Sequence, residues 1–398
     1  MKLITNADVK NKTVLVRADL NVPIVNGKIE DSTRIKKIIP TVKYLIQNNC
    51  KIILTSHFGR PKGQKIKEMS LRPIAEELSK ILDQTIIFSE DCIGDKVQNQ
   101  ISSLKEKEII LLENLRFYND EEDNDKEFAK KLSSLADIYV NDAFSCSHRA
   151  HASIDAITNY LPSYAGLLLS EEISSLEKIL NNPTKPIAAF VGGSKVSTKL
   201  ELLNSLVQKV DLIAIGGAMA NSFLKAKGVN IGNSVCEESM LDTALSIMLL
   251  AEKYNCEILL PIDAVISKDI KDGKIRIVDI NTVPTDYSIF DIGPKTINLF
   301  NERLGNIKTL VWNGPLGAFE FKPFDLGTYN IALTVSSLTI QGKLVSVAGG
   351  GDIVSALNSS RLIDNFTYIS TAGGAFLEWL EGKELPGIAA LKSDAIPK

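Results

Sequence analysis

Short runs of β-branched and aliphatic residues alternate with longer stretches of helical period from one end of the chain to the other. In the first half the runs predict strands at Thr13–Arg17, Lys51–Thr55, Thr85–Phe88, Ile109–Leu112 and Ile138–Asn141. In the second half they predict Ile187–Val191, Leu212–Ile215, Glu257–Leu260, Thr309–Trp312, Leu344–Val347 and Thr367–Ser370. Several are apolar at every position, as strands covered by helices on both faces should be. The alternation reads as an α/β protein built on doubly wound, Rossmann-like parallel sheets.

The pattern breaks near Ser170–Pro186. Ser170 is placed to cap a helix whose first turn holds Glu171 and Glu172, and Ile173, Leu176, Ile179 and Leu180 form one apolar stripe. Asn181-Asn182-Pro183-Thr184-Lys185-Pro186 then ends it. With 398 residues, too many for one ordinary core, the expectation is two domains. They would cover 1–170 and 186–384, joined by a connecting helix over 171–185, with a cleft between them. The acidic stretch Asp120–Asp125 reads as a solvated helix start.

Composition narrows the function classes. A net charge of −3 argues against nucleic-acid partners, which call for a basic excess. No apolar run approaches the roughly 18 residues that span a bilayer, and Met1–Asp8 turns polar too soon for a secretory leader. The five cysteines are scattered without metal-ligand spacing and read as reduced thiols of a cytoplasmic protein.

Candidate chemistry lies at the carboxyl ends of the strands, where open α/β sheets bind their ligands. In the first half these ends carry Arg17-Ala18-Asp19-Leu20-Asn21, Ser56-His57-Phe58-Gly59-Arg60, Glu113-Asn114-Leu115-Arg116 and Asn141-Asp142-Ala143-Phe144, with His148-Arg149-Ala150-His151 just beyond. Of nine arginines, Arg17, Arg34, Arg60, Arg116 and Arg149 fall here. Guanidinium forks grip carboxylate and phosphate bidentately, so their convergence implies a pocket for a small polyanion. For any single arginine a local ion pair is the alternative, and Arg17 beside Asp19 is the foremost case.

In the second half glycines take the corresponding places, in Gly192-Gly193-Ser194-Lys195, Gly216-Gly217, Gly349-Gly350-Gly351-Asp352 and Gly373-Gly374. Glycine allows close approach of a ligand, and helix-start N–H groups donate to phosphate. No Walker A or GxGxxG pattern is present. Asp352 can serve Mg²⁺ through nucleotide phosphates and water, or simply favour the helix dipole.

Taken together, the chain resembles the phosphoglycerate kinase family. The resemblance rests on Val16–Pro23, Ser56–Pro61, Glu113–Phe117, Asn141–Phe144, Gly192–Lys195, Val311-Trp312-Asn313-Gly314-Pro315, Gly349–Asp352 and Leu385-Pro386-Gly387, in family order. It implies that 3-phosphoglycerate or 1,3-bisphosphoglycerate binds at Asp19, Asn21, Arg34, His57, Arg60, Arg116 and Arg149. It implies ADP or ATP, with Mg²⁺, at Lys195, Lys199, Asn313, Glu320, Gly350, Gly351, Asp352 and Ile353, and a segment 385–398 that returns to the first domain. A monomer is expected. Two departures stand out: Ile353 replaces the family's frequent Thr or Ser, and Ala372 replaces the first of three glycines. Altered nucleotide affinity is the expected result.

The reaction so implied is phosphoryl transfer between 1,3-bisphosphoglycerate and ADP, with an acceptor oxygen already anionic and no general base needed. Arg34, Lys199 and the N–H groups of Gly351 and Gly374 would stabilise the group in flight, and domain closure would exclude water. A nicotinamide-dependent dehydrogenase is the rival, weakened by the missing GxGxxG turn. A non-catalytic binding protein is the other, weakened by the presence of Arg34, Lys199 and Asp352.

Overall fold

The computed structural model describes residues 1–25, 27–180, 183–370 and 372–392, the side chains of 178–180 excepted. The chain divides into two compact units, one formed by the described residues of Met1–Ser174 and Glu384–Lys398, the other by those of Ser175–Lys383. Among the described residues no helix is long and apolar enough to cross a membrane.

The first unit is built on a six-stranded parallel sheet. Its strands are β1 (Thr13–Ala18), β2 (Lys51–Thr55), β3 (Ile86–Phe88), β4 (Ile109–Leu111), β5 (Ile138–Asp142) and β6 (Ser163–Ala165), in the spatial order β3-β4-β2-β1-β5-β6. The order reverses between β1 and β5, which pair with Arg17 opposite Asn141 and Ala18 opposite Asp142. Successive strand residues point to opposite faces. Val14, Val16 and Ala18 accordingly join one core with Leu45, Ile52, Leu54 and Leu111, while Leu15 and Arg17 take the other face.

The second unit repeats the plan with β7 (Ile187–Val191), β8 (Leu212–Ile215), β9 (Glu257–Leu259), β13 (Thr309–Asn313), β14 (Val345–Gly349) and β15 (Tyr368–Ser370), ordered β9-β8-β7-β13-β14-β15. Here the reversal lies between β7 and β13, with Val191 opposite Asn313. Phe190 and Trp312 meet edge-on in the core at 5.7 Å between ring centres. A separate antiparallel sheet carries β10 (Asp263–Ser267), β11 (Arg276–Asp279) and β12 (Ser288–Ile292), ordered β11-β10-β12.

All eleven expected strands form, most with an end shifted by a residue or two. The sixth strand of the first sheet and the antiparallel sheet were not expected. β6 is three residues following a proline, and β11 is mostly exposed, so neither carries a strong apolar run. The helix at the first-unit boundary runs Leu167–Leu180, starting four residues earlier than a Ser170 cap would set. Ser170 lies inside it, its N–H bonded to Gly166 O. The caps are tertiary: Thr41 Oγ1 accepts from Leu167 N–H at 3.0 Å and Asp142 Oδ1 from Leu169 N–H at 3.0 Å. Neither partner is near in sequence. The division between the units falls within this helix, at Ser174/Ser175. The expected Asn181-Asn182 stop, and the side chains of Ile179 and Leu180, lie outside the described residues.

The acidic stretch is not uniformly solvated. Asp120, Glu122 and Asp123 are exposed, but Glu121 is fully buried. From Glu384 onward the described chain belongs to the first unit: Gly387 N–H bonds to Ser147 O at 2.9 Å, and Ile388 and Leu391 are buried. Ser393–Lys398 lie outside the described residues.

Candidate active site

Both sheets reverse strand order at a point where ligands bind in this architecture, and both points carry polar groups. In the first unit β1 runs out into Asp19 and Asn21. Asp19 is 8% exposed and accepts from Arg34 Nη1 at 2.7 Å, from the Ser145 hydroxyl, and from Asn21 N–H. Arg34 also donates to Asn21 O at 3.1 Å, and its side chain keeps a third of its surface exposed. Asn21 Oδ1 in turn accepts from Gly59 N–H at 3.1 Å, tying the β1 end to the His57–Arg60 loop. Arg116, buried, holds the same loop by donating to Gly59 O at 2.8 Å, and it lies 3.2 Å from Glu122. The Asn114 side chain bonds Phe58 N–H, Phe58 O and Met69 O, so the loop is fixed from below.

Arg17 is not the partner of Asp19. It is buried on the face of β1 away from Val14, Val16 and Ala18, donating to Ser153 Oγ at 2.8 Å, Ala18 O, and His57 Nδ1 at 3.1 Å. Arg149 donates to His148 Nε2 at 3.1 Å. Arg60 is exposed and has no ion pair among the described residues. The three histidines are held neutral: burial first, then the surrounding arginines, push His57 well below the usual range and His151 to about 3, and His148 is lowered by the same causes. Asp19, His57 and Cys146 stand close enough to share a metal ion, but the Arg17 guanidinium already occupies the His57 nitrogen on that side and repels a second cation. Burial raises the Cys146 thiol, which disfavours the thiolate.

In the second unit the loops after β7 and β13 pack on each other. Gly192 N–H bonds Asn313 O at 2.8 Å, and a Cβ on Gly192 would overlap Pro315 O. Gly216 would likewise meet Leu316, and Gly349 the Phe376 ring. These glycines make room for close packing of the Pro315–Leu316 loop and, at Gly349, of the Phe376 ring. Gly351 is different: nothing lies within 4 Å of where its Cβ would be. It opens the helix Gly351–Ser359, and the N–H groups of Gly351, Asp352 and Ile353 precede the first intrahelical bond, from Val354 N–H to Gly350 O. Gly374 is exposed in the first turn of the helix Gly373–Leu380; Thr371 just before it lies outside the described residues.

Lys199 Nζ donates to Asn313 Oδ1 at 2.5 Å, and Asn313 Nδ2 donates to Gly349 O. Burial lowers the Lys199 pKa, opposed by the charges of Asp352 and Glu381. Lys195 and Asp352 are exposed. Glu237, which sequence reasoning passed over, accepts from Ser197 N–H and Oγ at 3.0 and 2.6 Å and steadies the loop bearing both lysines. Ile353 is wholly buried in the apolar core with Leu357 and Trp312, so its side chain faces away from the helix-start donors. Glu320 is exposed and lines a groove of about 700 Å³ with Lys322, Asp325, Tyr329 and Arg361.

Fixed cations and neutral donors in one unit, with open helix starts and a half-buried lysine in the other, are the parts of a kinase acting on a small anionic metabolite. The family model described as phosphoglycerate kinase matches residues 4–383. The phosphoglycerate kinase of Granulibacter bethesdensis is 53% identical over 97% of this chain and 98% of its own length; that of Rhizobium meliloti is 51% identical over 97% of each. The solved structure of phosphoglycerate kinase from Coxiella burnetii is 41% identical, covers 99% of both chains and superposes with a TM-score of 0.89. The Pyrococcus horikoshii structure, 31% identical over 98% of both chains, gives 0.85. This chain belongs to the phosphoglycerate kinase family. It transfers a phosphoryl group reversibly from 1,3-bisphosphoglycerate to ADP, giving 3-phosphoglycerate and ATP, a step of glycolysis.

Proposed function

We propose that the cluster at the β1/β5 end holds 3-phosphoglycerate or its acyl phosphate, and that the glycine loops of the second unit hold the nucleotide. Asp19, Asn21, His57 and Arg116 form the fixed wall, with Arg34, Arg60 and Arg149 as the cations reaching the ligand. Lys195, Lys199, Asn313, Glu320 and the Gly350–Ile353 turn are the nucleotide contacts, Ile353 through its backbone N–H alone. The observation that carries this reading is Arg34. Asp19 and Asn21 O hold its guanidinium in place, and a third of the side chain is exposed.

Arg34 and Lys199, with the N–H groups of Gly351 and Gly374, are read as the donors to the equatorial oxygens of the group in flight. Lys199 resting on Asn313 is ready to exchange an amide oxygen for a phosphate oxygen. In-line transfer needs the reacting oxygens a few ångströms apart and water excluded, so hinge closure with both ligands bound is part of the proposal. Asp352 suits Mg²⁺: it is one exposed hard-oxygen ligand with no ion pair among the described residues, beside helix-start donors that would hold the phosphates. Bound there, Mg²⁺ would neutralise phosphate charge. Monomeric state and cytoplasmic location complete the reading, the latter supported by five free cysteines, four of them buried. Calorimetry of Asp352→Asn tests the metal assignment. A loss confined to MgADP, with metal-free ADP binding unchanged, supports it; equal losses in both titrations mean a role confined to the helix dipole.

A further inference from the structure

We infer that Arg17 is a positioning residue that locks His57 in the neutral tautomer carrying its proton on Nε2, and that Glu121 and Ser153 hold Arg17 for this task. The substrate end of the inference rests on His57 touching 3-phosphoglycerate, as proposed above.

Strand register puts Arg17 on the face of β1 away from the Val14–Val16 core, at 1% exposure. A buried guanidinium needs compensating charge and acceptors. Glu121, 0% exposed, supplies the charge. Its two carboxylate oxygens accept from Ser153 N–H at 2.9 Å and Ser153 Oγ at 2.6 Å. Arg17 Nε donates to that same Oγ at 2.8 Å. Ser153 is itself anchored, its carbonyl accepting from Tyr139 OH at 2.6 Å. The guanidinium plane is thereby fixed, and its Nη2 meets His57 Nδ1 at 3.1 Å.

Arginine has no acceptor atom, so in this contact His57 Nδ1 must accept. A neutral imidazole that accepts at one nitrogen donates at the other. The surroundings of the ring press the same way: burial first, then the charges of Arg17, Arg116 and Arg34, disfavour a second proton, the nearby His151 is itself held neutral, and the buried Cys146 thiol stands 3.9 Å from Nδ1. Asp19 is a carboxylate close to the ring, and it is spent on Arg34, Ser145 and Asn21. His57 therefore offers an uncharged N–H to an anion instead of a cation that releases a proton within the working pH range. Glu121 belongs to the acidic stretch whose sequence suggested only a solvated helix.

The test is ¹⁵N spectroscopy of histidine-labelled enzyme. The wild-type His57 ring should show one unprotonated Nδ1 and one protonated Nε2, unchanged from pH 5.5 to 8.5; a protonated Nδ1, or a titration within that range, overturns the inference. Arg17→Lys keeps the charge but cannot reach Ser153 and His57 together. A second tautomer should appear, with KM for 3-phosphoglycerate raised several-fold and kcat little changed; a single unaltered tautomer overturns the positioning role. Ser153→Ala, a milder change, should give the same trend if Arg17→Lys does not fold. His57→Gln, which retains a neutral Nε2 donor, should recover most of the substrate affinity that His57→Ala loses. Adding 3-phosphoglycerate to wild type separates the two claims. An unmoved Nε2 signal would overturn the substrate contact alone, because the tautomer is read without ligand.

Discussion

Replacing Asp142 by Asn should make the protein more stable above neutrality and leave it unaltered near pH 4. Asp142 ends β5 with one oxygen capping the Leu167–Leu180 helix at Leu169 N–H. The other oxygen is buried without a hydrogen-bond partner among the described residues, and the absent Cβ of Gly166 makes room for the carboxyl. Burial pushes this carboxyl up to about 6, against the pull of the Thr41 hydroxyl and the Leu168 and Leu169 N–H groups. A folded value above the unfolded one, near 3.8, means that the native state binds the proton more tightly. The stability so contributed is complete below the unfolded value and is lost as pH rises through about 6. At about 1.4 kcal/mol per pH unit, the loss amounts to roughly 3 kcal/mol by pH 8. Asparagine keeps the capping oxygen and carries no charge, so Asp142→Asn should match wild type at pH 4 and exceed it by about 1–3 kcal/mol at pH 8. Urea unfolding followed by far-ultraviolet circular dichroism reads this; both tryptophans, Trp312 and Trp379, lie in the other unit and would miss it. A stability difference that does not change between pH 4 and 8, or a carboxyl ¹³C titration centred near 4, refutes the reasoning.

Arg34→Ala should lower kcat by about 10²–10³ while KM for 3-phosphoglycerate changes far less; steady-state kinetics with normal kcat and weak binding would remove it from the transition state. Ile353→Thr, despite restoring a hydroxyl common in the family, should cost about 1–3 kcal/mol by burying that hydroxyl in an apolar core. Calorimetry should then find no gain in ADP affinity. Gly192→Ala would drive a methyl into Pro315 O, and should weaken nucleotide binding and lower the thermal midpoint of the second unit, monitored by tryptophan fluorescence.

The two sheets and their strand-end chemistry were legible because each strand announces itself by a local apolar run. What escaped depends on partners far away in sequence. Arg17 beside Asp19 looks like a pair, but Arg17 donates to Ser153, Ala18 O and His57 instead, and the partner of Asp19 is Arg34, fifteen positions on. Ser170 looks like a cap, but Thr41 and Asp142 do that work from other elements. Glu121 is indistinguishable in sequence from its exposed neighbours, and only the Ser153 loop folded over it reveals its burial. The glycines of the second unit stand out in the sequence as a set, yet whether one faces a ligand or another loop is a tertiary matter.

The first unit is interrupted in sequence: the whole second unit lies between Ser174 and Glu384. A ribosome making this chain releases 174 residues whose core still lacks Ile388 and Leu391, each 2% exposed in the finished fold. The uninterrupted 175–383 stretch can close its own core during synthesis, so the part made first is the part completed last. Premature termination just after Lys383, or proteolytic trimming of the tail, would thus spare the second unit and leave the first with an open seam at Ser147 and Ile154, where Gly387 packs.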